Sequence, residues 1–304
     1  MPRTAQEQLV HFLSDVYAME QQALAQLVSA PEVAGDPRLA EMFSVHLRET
    51  ERQSVLVRER LEAHGESPST VKDAVMRLGG KAFLLFARVM PETPGRLMAH
   101  AYAYEAMEWA AYGMLIRIAD RAGDARTAQI ARVIQAEERA MMERLERGFN
   151  AADEASHRAT PDADGDPEVK DQTMKNQVMK DQVIRHLGEA HAIEAQAESL
   201  LARGESIAGG PGLEQIYRQH LAESRTHAAL LEERLSDLGS SPSVIKDAAL
   251  RFGAVNWSMF FAAQPDTPAK LAAFAYAFEH LEIGGYELLR RAARRAHDVN
   301  TERV

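Results

Sequence analysis

The chain has 304 residues, no cysteine and a formal net charge of -10 at neutral pH. This length allows two domains of ordinary size, and the absence of cysteine excludes disulfides, zinc ribbons and thiol nucleophiles. The negative charge argues against nucleic acid and anionic membranes as partners, because both attract basic surfaces. The N-terminus lacks the apolar segment of a secretory signal, and no uncharged apolar run approaches the roughly 20 residues of a membrane span. We therefore predict a cytoplasmic protein.

Strong helix formers dominate the composition, and the first two predicted helices have clear boundaries. Thr4 and Glu7 have the spacing of a capping box, which predicts the start of helix A. Asp36 followed by Pro37 predicts the start of helix B, and Gly65 predicts its end.

The next helices lie beyond a long connection. A shorter apolar helix over 70–89 is predicted on this crossover from helix B to helix C. Thr93 and Pro94 predict the start of helix C, Gly123 follows its end, and helix D is predicted from about residue 126 to 149. Four long helices with one long crossover are typical of a ferritin-like up-down bundle. The predicted fold class is therefore all-α.

The chain repeats itself at a constant offset of 174 residues. Ser67–Ala74 (SPSTVKDA) matches Ser241–Ala248 (SPSVIKDA), and Ala101–Tyr112 (AYAYEAMEWAAY) matches Ala275–Tyr286 (AYAFEHLEIGGY). A period of this length indicates the duplication of a whole domain, because solenoid repeats are much shorter. The sequence thus predicts two tandem ferritin-like bundles.

The two predicted domains are 1–150 and 171–304, joined by a linker over 151–170. The linker prediction rests on Ala155–Glu168, which is polar and rich in Asp, Pro and Gly. Residues 131–150 have no counterpart in the second copy, which is therefore predicted to lack its fourth helix.

Carboxylates interrupt the apolar stripe of every predicted long helix. In the first copy they are Glu20, Glu49, Glu105, Glu108 and Glu137. The corresponding candidates in the second copy are Glu194, Glu223, His227, Glu279 and Glu282. A buried carboxylate costs several kcal/mol unless it is paired, protonated or bound to metal. A pair of divalent ions stabilises such a cluster, and oxygen-rich ligands suit iron or manganese better than zinc. We predict these ten residues as metal ligands.

A simpler reading applies to each of these residues taken alone. One Glu on a helix stripe is more often a salt-bridged residue at the edge of a core than a ligand, so the prediction rests on the joint pattern. His46 and His220 precede the helix-B Glu by three residues and are interpreted as hydrogen-bonding neighbours of the ligands. Tyr112 and Tyr286 could hydrogen-bond a ligand carboxylate, but we interpret them as ordinary core tyrosines.

The chain resembles the YciE/YciF-like ferritin-like stress-protein family over residues about 9–150 and again over about 183–301. The motifs that carry the resemblance are Leu13–Glu20, His46–Thr50, Glu105–Tyr112 and the pair Glu137–Glu138. The resemblance implies a four-helix bundle with a candidate di-metal site, a tendency to dimerise and a stress-linked role.

The chain departs from the family pattern at specific positions. The family places a His four residues after the helix-B Glu, and this chain has His227 in the second copy but Gln53 in the first. Met142 stands where the family places an Asp. Since the second copy has no predicted helix D, neither copy carries a complete ligand set.

Two functions remain open at this stage. The first is a di-metal oxidoreductase or metal-sequestering protein in which iron or manganese reacts with oxygen or peroxide. The second is a metal-free pseudo-ferritin that acts as a structural or protein-interaction scaffold. In both cases we expect the two copies to associate with each other, or two chains to form a homodimer, because the second copy would otherwise expose the core between helices B and C.

Overall fold

The protein is described here by a computed structural model that covers residues 4–67, 93–159, 172–208, 210–242 and 268–304. All regular secondary structure in these ranges is helical, which confirms the predicted all-α class. The chain divides into two compact units, Met1–Ala152 and Asp153–Val304. The predicted crossover helix over 70–89 lies outside the described residues.

The first unit begins with three helices, α1 (Ala5–Leu27), α2 (Ala30–Val33) and α3 (Pro37–Ala63). The predicted capping box starts α1, because the Thr4 hydroxyl accepts from the Glu7 amide and the Glu7 carboxylate accepts from the Thr4 amide. Asp36 caps α3 and Pro37 follows it, as predicted. Gly65 ends the helix with a φ of +77°, a conformation that glycine adopts without strain.

Two longer helices complete this part of the chain, α4 (Thr93–Ala122) and α5 (Ala125–Ala159). Gly123, with a φ of +73°, makes the tight turn between them. The helix α5 continues through 151–159, which the sequence assigned to the linker, because this segment is rich in alanine and contains neither Pro nor Gly. The remainder of the predicted linker, residues 160–170, lies outside the described ranges.

Side-chain pairs fix the relative directions of the helices in the first unit. Helix α3 runs antiparallel to α1, and α5 runs antiparallel to both α3 and α4, so α3 and α4 are parallel to each other. Helices α1 and α3 are joined by Gln6 with His64 and by Gln21 with Ser54. Helices α5 and α3 are joined by Thr127 with Arg60 and by Arg144 with Glu49. Helices α5 and α4 are joined by Arg132 with Asp120 and by Phe149 with Tyr102. Two parallel neighbours require a long connection, in agreement with the gap between Ala63 and Thr93.

The second unit contains α6 (Gln172–Ile207), α7 (Pro211–Asp237), α8 (Pro268–Arg295) and the short α9 (Val299–Arg303). Helix α6 packs on both α7 and α8. By the repeat offset, α9 corresponds to the first turn of α5. None of the helices in the described ranges has the length and hydropathy that crossing a membrane requires.

One polar contact occurs in both units and joins the end of the second long helix to the start of the fourth. In the first unit, Arg60 donates to Asp124 at 2.9 Å and to Thr127 at 2.9 Å, while His64 Nε2 lies 2.8 Å from Asp124. Burial would raise the pKa of Asp124, but the hydroxyl and backbone amide of Thr127, together with Arg60 and His64, hold it below its usual value. In the second unit, Arg234 makes the same contacts with Asp298 and Thr301.

We expect Arg60→Met to lower the free energy of unfolding of the first unit by about 1–3 kcal/mol, because it leaves a partly buried Asp124 without its charged donor. The matched control is Arg58→Met, since Arg58 forms only an exposed pair with Glu62 and contributes less than about 0.5 kcal/mol. Chemical denaturation measures both values. Equal effects of the two substitutions would contradict the assignment.

Candidate metal centre

Acidic side chains from three helices meet in the core of the first unit together with one histidine. We call this group the carboxylate cluster, and it consists of Glu20 on α1, His46 on α3, Glu105 and Glu108 on α4, and Glu138 on α5. None of these residues is more than 3% exposed. His46, Glu105, Glu108 and Glu138 each offer one atom within 4.8 Å of the others, close enough to bind one ion.

Glu20 is fixed beside this group by an adjacent tyrosine. The Tyr112 hydroxyl donates to Glu20 Oε1, and both side chains are fully buried. Tyr104, one helical turn from Glu108, donates to the backbone oxygen of Met19 at 2.9 Å and so fixes α4 against α1. Tyr112, which the sequence suggested as a core residue, therefore orients a carboxylate as well as filling space.

Burial makes the ionised form of these acids costly. Desolvation, with a further contribution from Glu105, raises the pKa of Glu20 to about 8 in spite of the hydrogen bond from Tyr112. Desolvation and the neighbouring carboxylates also raise the pKa of Glu108 and Glu138 well above the usual range. Without a cation, the cluster therefore holds protons at neutral pH.

Several carboxyl oxygens in the cluster have no hydrogen-bond donor in the described part of the chain. They are Glu20 Oε2, Glu105 Oε2, Glu108 Oε1 and both oxygens of Glu138. Buried oxygens without donors are suited to receive either protons or a metal ion.

His46 contacts both an inner carboxylate of the cluster and Glu49, which lies at its edge. Its Nε2 lies 2.9 Å from Glu105 Oε1, and its Nδ1 lies 3.3 Å from Glu49 Oε2. Burial alone would lower the pKa of His46, but these two carboxylates raise it to about 9. His46 thus carries a proton at neutral pH and neutralises part of the charge, which agrees with the hydrogen-bonding role expected from the sequence.

Two of the acids predicted as ligands lie at the edge of the cluster. Glu49 is half-buried and accepts from Arg144 at 2.8 Å, and His46 together with Arg144 lowers its pKa to about 2. Glu137 pairs with Arg52 at 2.7 Å and accepts from Gln53 at 3.0 Å. Both carboxylates therefore already have arginine or amide partners, which the inner acids lack in the described part of the chain.

Glu138 takes the inner position on α5 that the sequence analysis gave to Glu137. Spacing alone does not separate them, because both fall three or four residues from Ile134 and Met141 on the same stripe. The charges of neighbouring helices distinguish the two: Arg52 on the exposed side of α3 attracts Glu137 and leaves Glu138 facing the core.

The second unit repeats part of this arrangement. Glu194 is fully buried and accepts from the Tyr286 hydroxyl at 2.7 Å, as Glu20 does from Tyr112, and His227 Nδ1 lies 3.2 Å from it. His220 pairs with Glu279, and desolvation together with Glu194 raises the pKa of Glu282 to about 9.

The second group is smaller and more open than the first. His220, Glu279 and Glu282 could hold an ion, but no counterpart of Glu138 reaches them from the described residues. Glu223, also predicted as a ligand, is exposed and contacts His220 and Gln219.

Comparison with known proteins agrees with the repeat and with the overall resemblance. A family model described as "Domain of unknown function (DUF892)" matches residues 4–156 and 178–304, two segments whose starts are separated by the repeat offset. Protein YciF of Escherichia coli (strain K12) is 27% identical over 146 residues, which cover 45% of this chain and 86% of YciF. No solved structure matches the chain significantly. With matches over both halves, the chain belongs to the DUF892 family.

Proposed function

We propose that the first unit is a ferritin-like bundle that binds a pair of iron or manganese ions at the carboxylate cluster. The observation that carries the proposal is the convergence of buried carboxyl oxygens that have no donor among the described residues. The parallel arrangement of α3 and α4 also supports a ferritin-like connection. The activity would be that of a di-metal oxidoreductase or a metal store, in the stress-linked role that the family resemblance implies.

The residues of the cluster fit such ions. Glu20, Glu105, Glu108 and Glu138 supply hard oxygen ligands, and His46 lies within 4.8 Å of three of them as a hydrogen-bonding neighbour. This donor set suits iron or manganese, whereas a structural zinc site normally has more nitrogen or sulfur ligands. Metal binding must displace the protons that the raised pKa values hold on Glu20, Glu108 and Glu138.

Neighbouring residues would orient the ligands and keep water out. Tyr112 fixes the rotamer of Glu20, and His46 fixes Glu105 from the other side. Met98, Leu115 and Met141, all fully buried, belong to the apolar core of the same bundle. When bound, iron or manganese would supply redox chemistry toward oxygen or peroxide.

The alternative is a scaffold that binds no metal. It is favoured by the partners that the acids already have: Tyr112 for Glu20, His46 for Glu105, and Arg144 and Arg52 for the outer pair. Protonation can neutralise the remaining two acids, Glu108 and Glu138. Gln53 in place of the family histidine also favours the scaffold, because its amide donates to Glu137 and is a poor metal ligand.

Association of the two copies, homodimer formation and a cytoplasmic location stay predictions from the sequence. Metal content decides between the two proposed functions, because the same fold and the same cluster serve both.

We expect about two metal ions per chain in protein produced with added iron and manganese and purified without a tag or chelator. Elemental mass spectrometry measures this content. Glu138→Gln should remove most of the metal, because it replaces an inner carboxylate. The adjacent Glu137→Gln is the matched control and should keep the metal, since Arg52 and Gln53 already hold Glu137. Metal-free wild-type protein would support the scaffold instead.

The metal-free protein should lose stability as pH rises. Glu20 titrates at 4.5 in the unfolded chain and at about 8 in the folded protein, so between these values only the folded protein holds the proton. The pKa of His46 is likewise raised, from 6.5 in the unfolded chain to about 9 in the folded protein, so its proton also stabilises the fold less as the pH rises. The free energy of unfolding therefore falls with pH, by up to about 1.4 kcal/mol per pH unit for each proton.

Glu20→Gln should make this dependence less steep between pH 5 and 8, because glutamine does not titrate whereas Glu108, Glu138 and His46 still contribute. Asp36→Asn is the control, since Asp36 has a lowered pKa, affects stability only at acidic pH, and is replaced by a residue that still caps α3. Denaturant unfolding at several pH values in the presence of a chelator measures the slopes. Identical slopes for wild type and Glu20→Gln would show that the cluster does not hold this proton.

A further inference from the structure

Two ion pairs join α3 to α5 beside the carboxylate cluster of the first unit. Arg144 on α5 binds Glu49 on α3 at 2.8 Å, and Arg52 on α3 binds Glu137 on α5 at 2.7 Å. Each helix thus contributes one acid and one arginine. We call this contact, defined by the four residues of the two pairs, the α3–α5 interface.

Both acids of the α3–α5 interface reach water on one side and the cluster on the other. The side chains of Glu49 and Glu137 are 26% and 28% exposed, whereas the inner acids are at most 3% exposed. Glu49 lies 3.3 Å from His46, whose other ring nitrogen contacts Glu105. Glu137 is followed in the chain by Glu138, whose two buried carboxyl oxygens have no donor among the described residues. The two acids therefore connect the solvent to oxygens that are suited to a cation.

The other pairs of neighbouring helices in the first unit make neutral contacts near the cluster. The contacts are Gln21 with Ser54 between α1 and α3, Tyr104 with Met19 between α1 and α4, and Gln135 with Trp109 between α4 and α5. Each includes a residue no more than 3 positions in the chain from an acid of the cluster. Amide and phenol groups are weaker ligands for iron or manganese than carboxylates are. Within the described residues, the α3–α5 interface thus offers a cation the most favourable approach.

A divalent cation that moves into a dry core loses water before it gains the inner ligands. Carboxylates along its path offset part of this loss, because they replace water oxygens with charged oxygens. Arg144 and Arg52 have the opposite effect, since they occupy these carboxylates and repel a cation. The arginines and an incoming ion therefore compete for the same two acids.

We propose that the α3–α5 interface is the entry route of divalent cations to the carboxylate cluster, with Glu49 and Glu137 as the first carboxylates to receive an ion. Arg144 and Arg52 neutralise these acids while no ion is present and give them up when one arrives, so the charge of the arginines limits the rate of uptake. The inference rests on the metal site proposed above. It assigns the two acids to transfer and leaves the inner acids to hold the bound ions.

Stopped-flow mixing of the metal-free full chain with manganese(II) and a fluorescent indicator of the free ion measures the rate of uptake and the final amount bound. Arg144→Gln should raise the second-order rate constant at least about threefold, because it frees Glu49 and removes a repelling charge. Arg139→Gln is the matched control. It removes the same charge from α5, but Arg139 forms only an exposed pair with Glu143, so the rate should change by less than about 1.5-fold.

Further variants separate the effect of charge from an effect on folding. Arg144→Lys keeps the charge and should restore the wild-type rate. Glu49→Gln should slow uptake at least about threefold without changing the final amount of bound manganese, because Glu49 is not a ligand of the bound ions. In the Glu49→Gln background, Arg144→Gln should no longer accelerate uptake, since the arginine acts through Glu49.

The possible failures have distinct signatures. Wild-type protein that binds no manganese at equilibrium would overturn both the metal site and its entry route. Full binding with equal rates for Arg144→Gln and Arg139→Gln would overturn the entry route alone. Loss of bound manganese in Glu49→Gln would show that Glu49 is a permanent ligand, which contradicts its assignment to transfer.

Discussion

The dominant constraint on the first unit is the burial of four carboxyl groups in one dry core. Each ionised acid loses its hydration there, and every neighbouring acid adds repulsion. Glu20, Glu108 and Glu138 respond with raised pKa values, so the apo cluster depends on protons. A pair of cations would relieve the same strain, and this competition between protons and metal links the stability of the bundle to its proposed function.

The surrounding residues divide the acids into an inner and an outer set. Arg144 and Arg52 neutralise Glu49 and Glu137 at the edge, while no Lys or Arg of the described residues pairs with the inner four. Tyr112 and His46 then fix the orientation of two inner carboxylates. This division explains how the chain can hold so many acids on facing helices and still leave one group available for ions.

The two repeats share contacts that join their helices, but they differ in the group of acids in the core. The contact of Arg60 with Asp124 recurs as Arg234 with Asp298, and Tyr286 bonds to Glu194 as Tyr112 does to Glu20. The described residues supply no equivalent of Glu138 in the second unit, and Glu279 and Glu282 are more exposed than Glu105 and Glu108, their counterparts in the first.

Much of the fold could be predicted from the sequence because its signals are local. Thr4, Asp36 and Gly65 mark helix ends by capping chemistry that involves only a few neighbouring residues. The continuation of α5 to Ala159 was missed, because acidic and polar residues in that segment obscured its helix-forming alanines. The continuation is also accompanied by a distant contact within the second unit, between Asp153 and Arg295, that no local pattern reveals.

The site was less predictable than the fold, because ion pairs and hydrogen bonds between different helices decide which residues belong to it. A stripe with a period of 3.6 residues accommodates Glu137 and Glu138 equally well, and only the position of Arg52 on α3 separates them. His46 was expected beside the ligands, but its contact with Glu105 across 59 residues of sequence required the packed structure.

The most direct test of the proposed metal centre is to count the protons released when manganese binds to the metal-free protein. Calorimetric titrations at pH 6 in two buffers of different ionisation enthalpy give this number. If the cluster is the site, binding should release about two or three protons per chain, because Glu20, Glu108 and Glu138 are protonated at that pH. Binding without proton release, or no binding at all, would contradict the account.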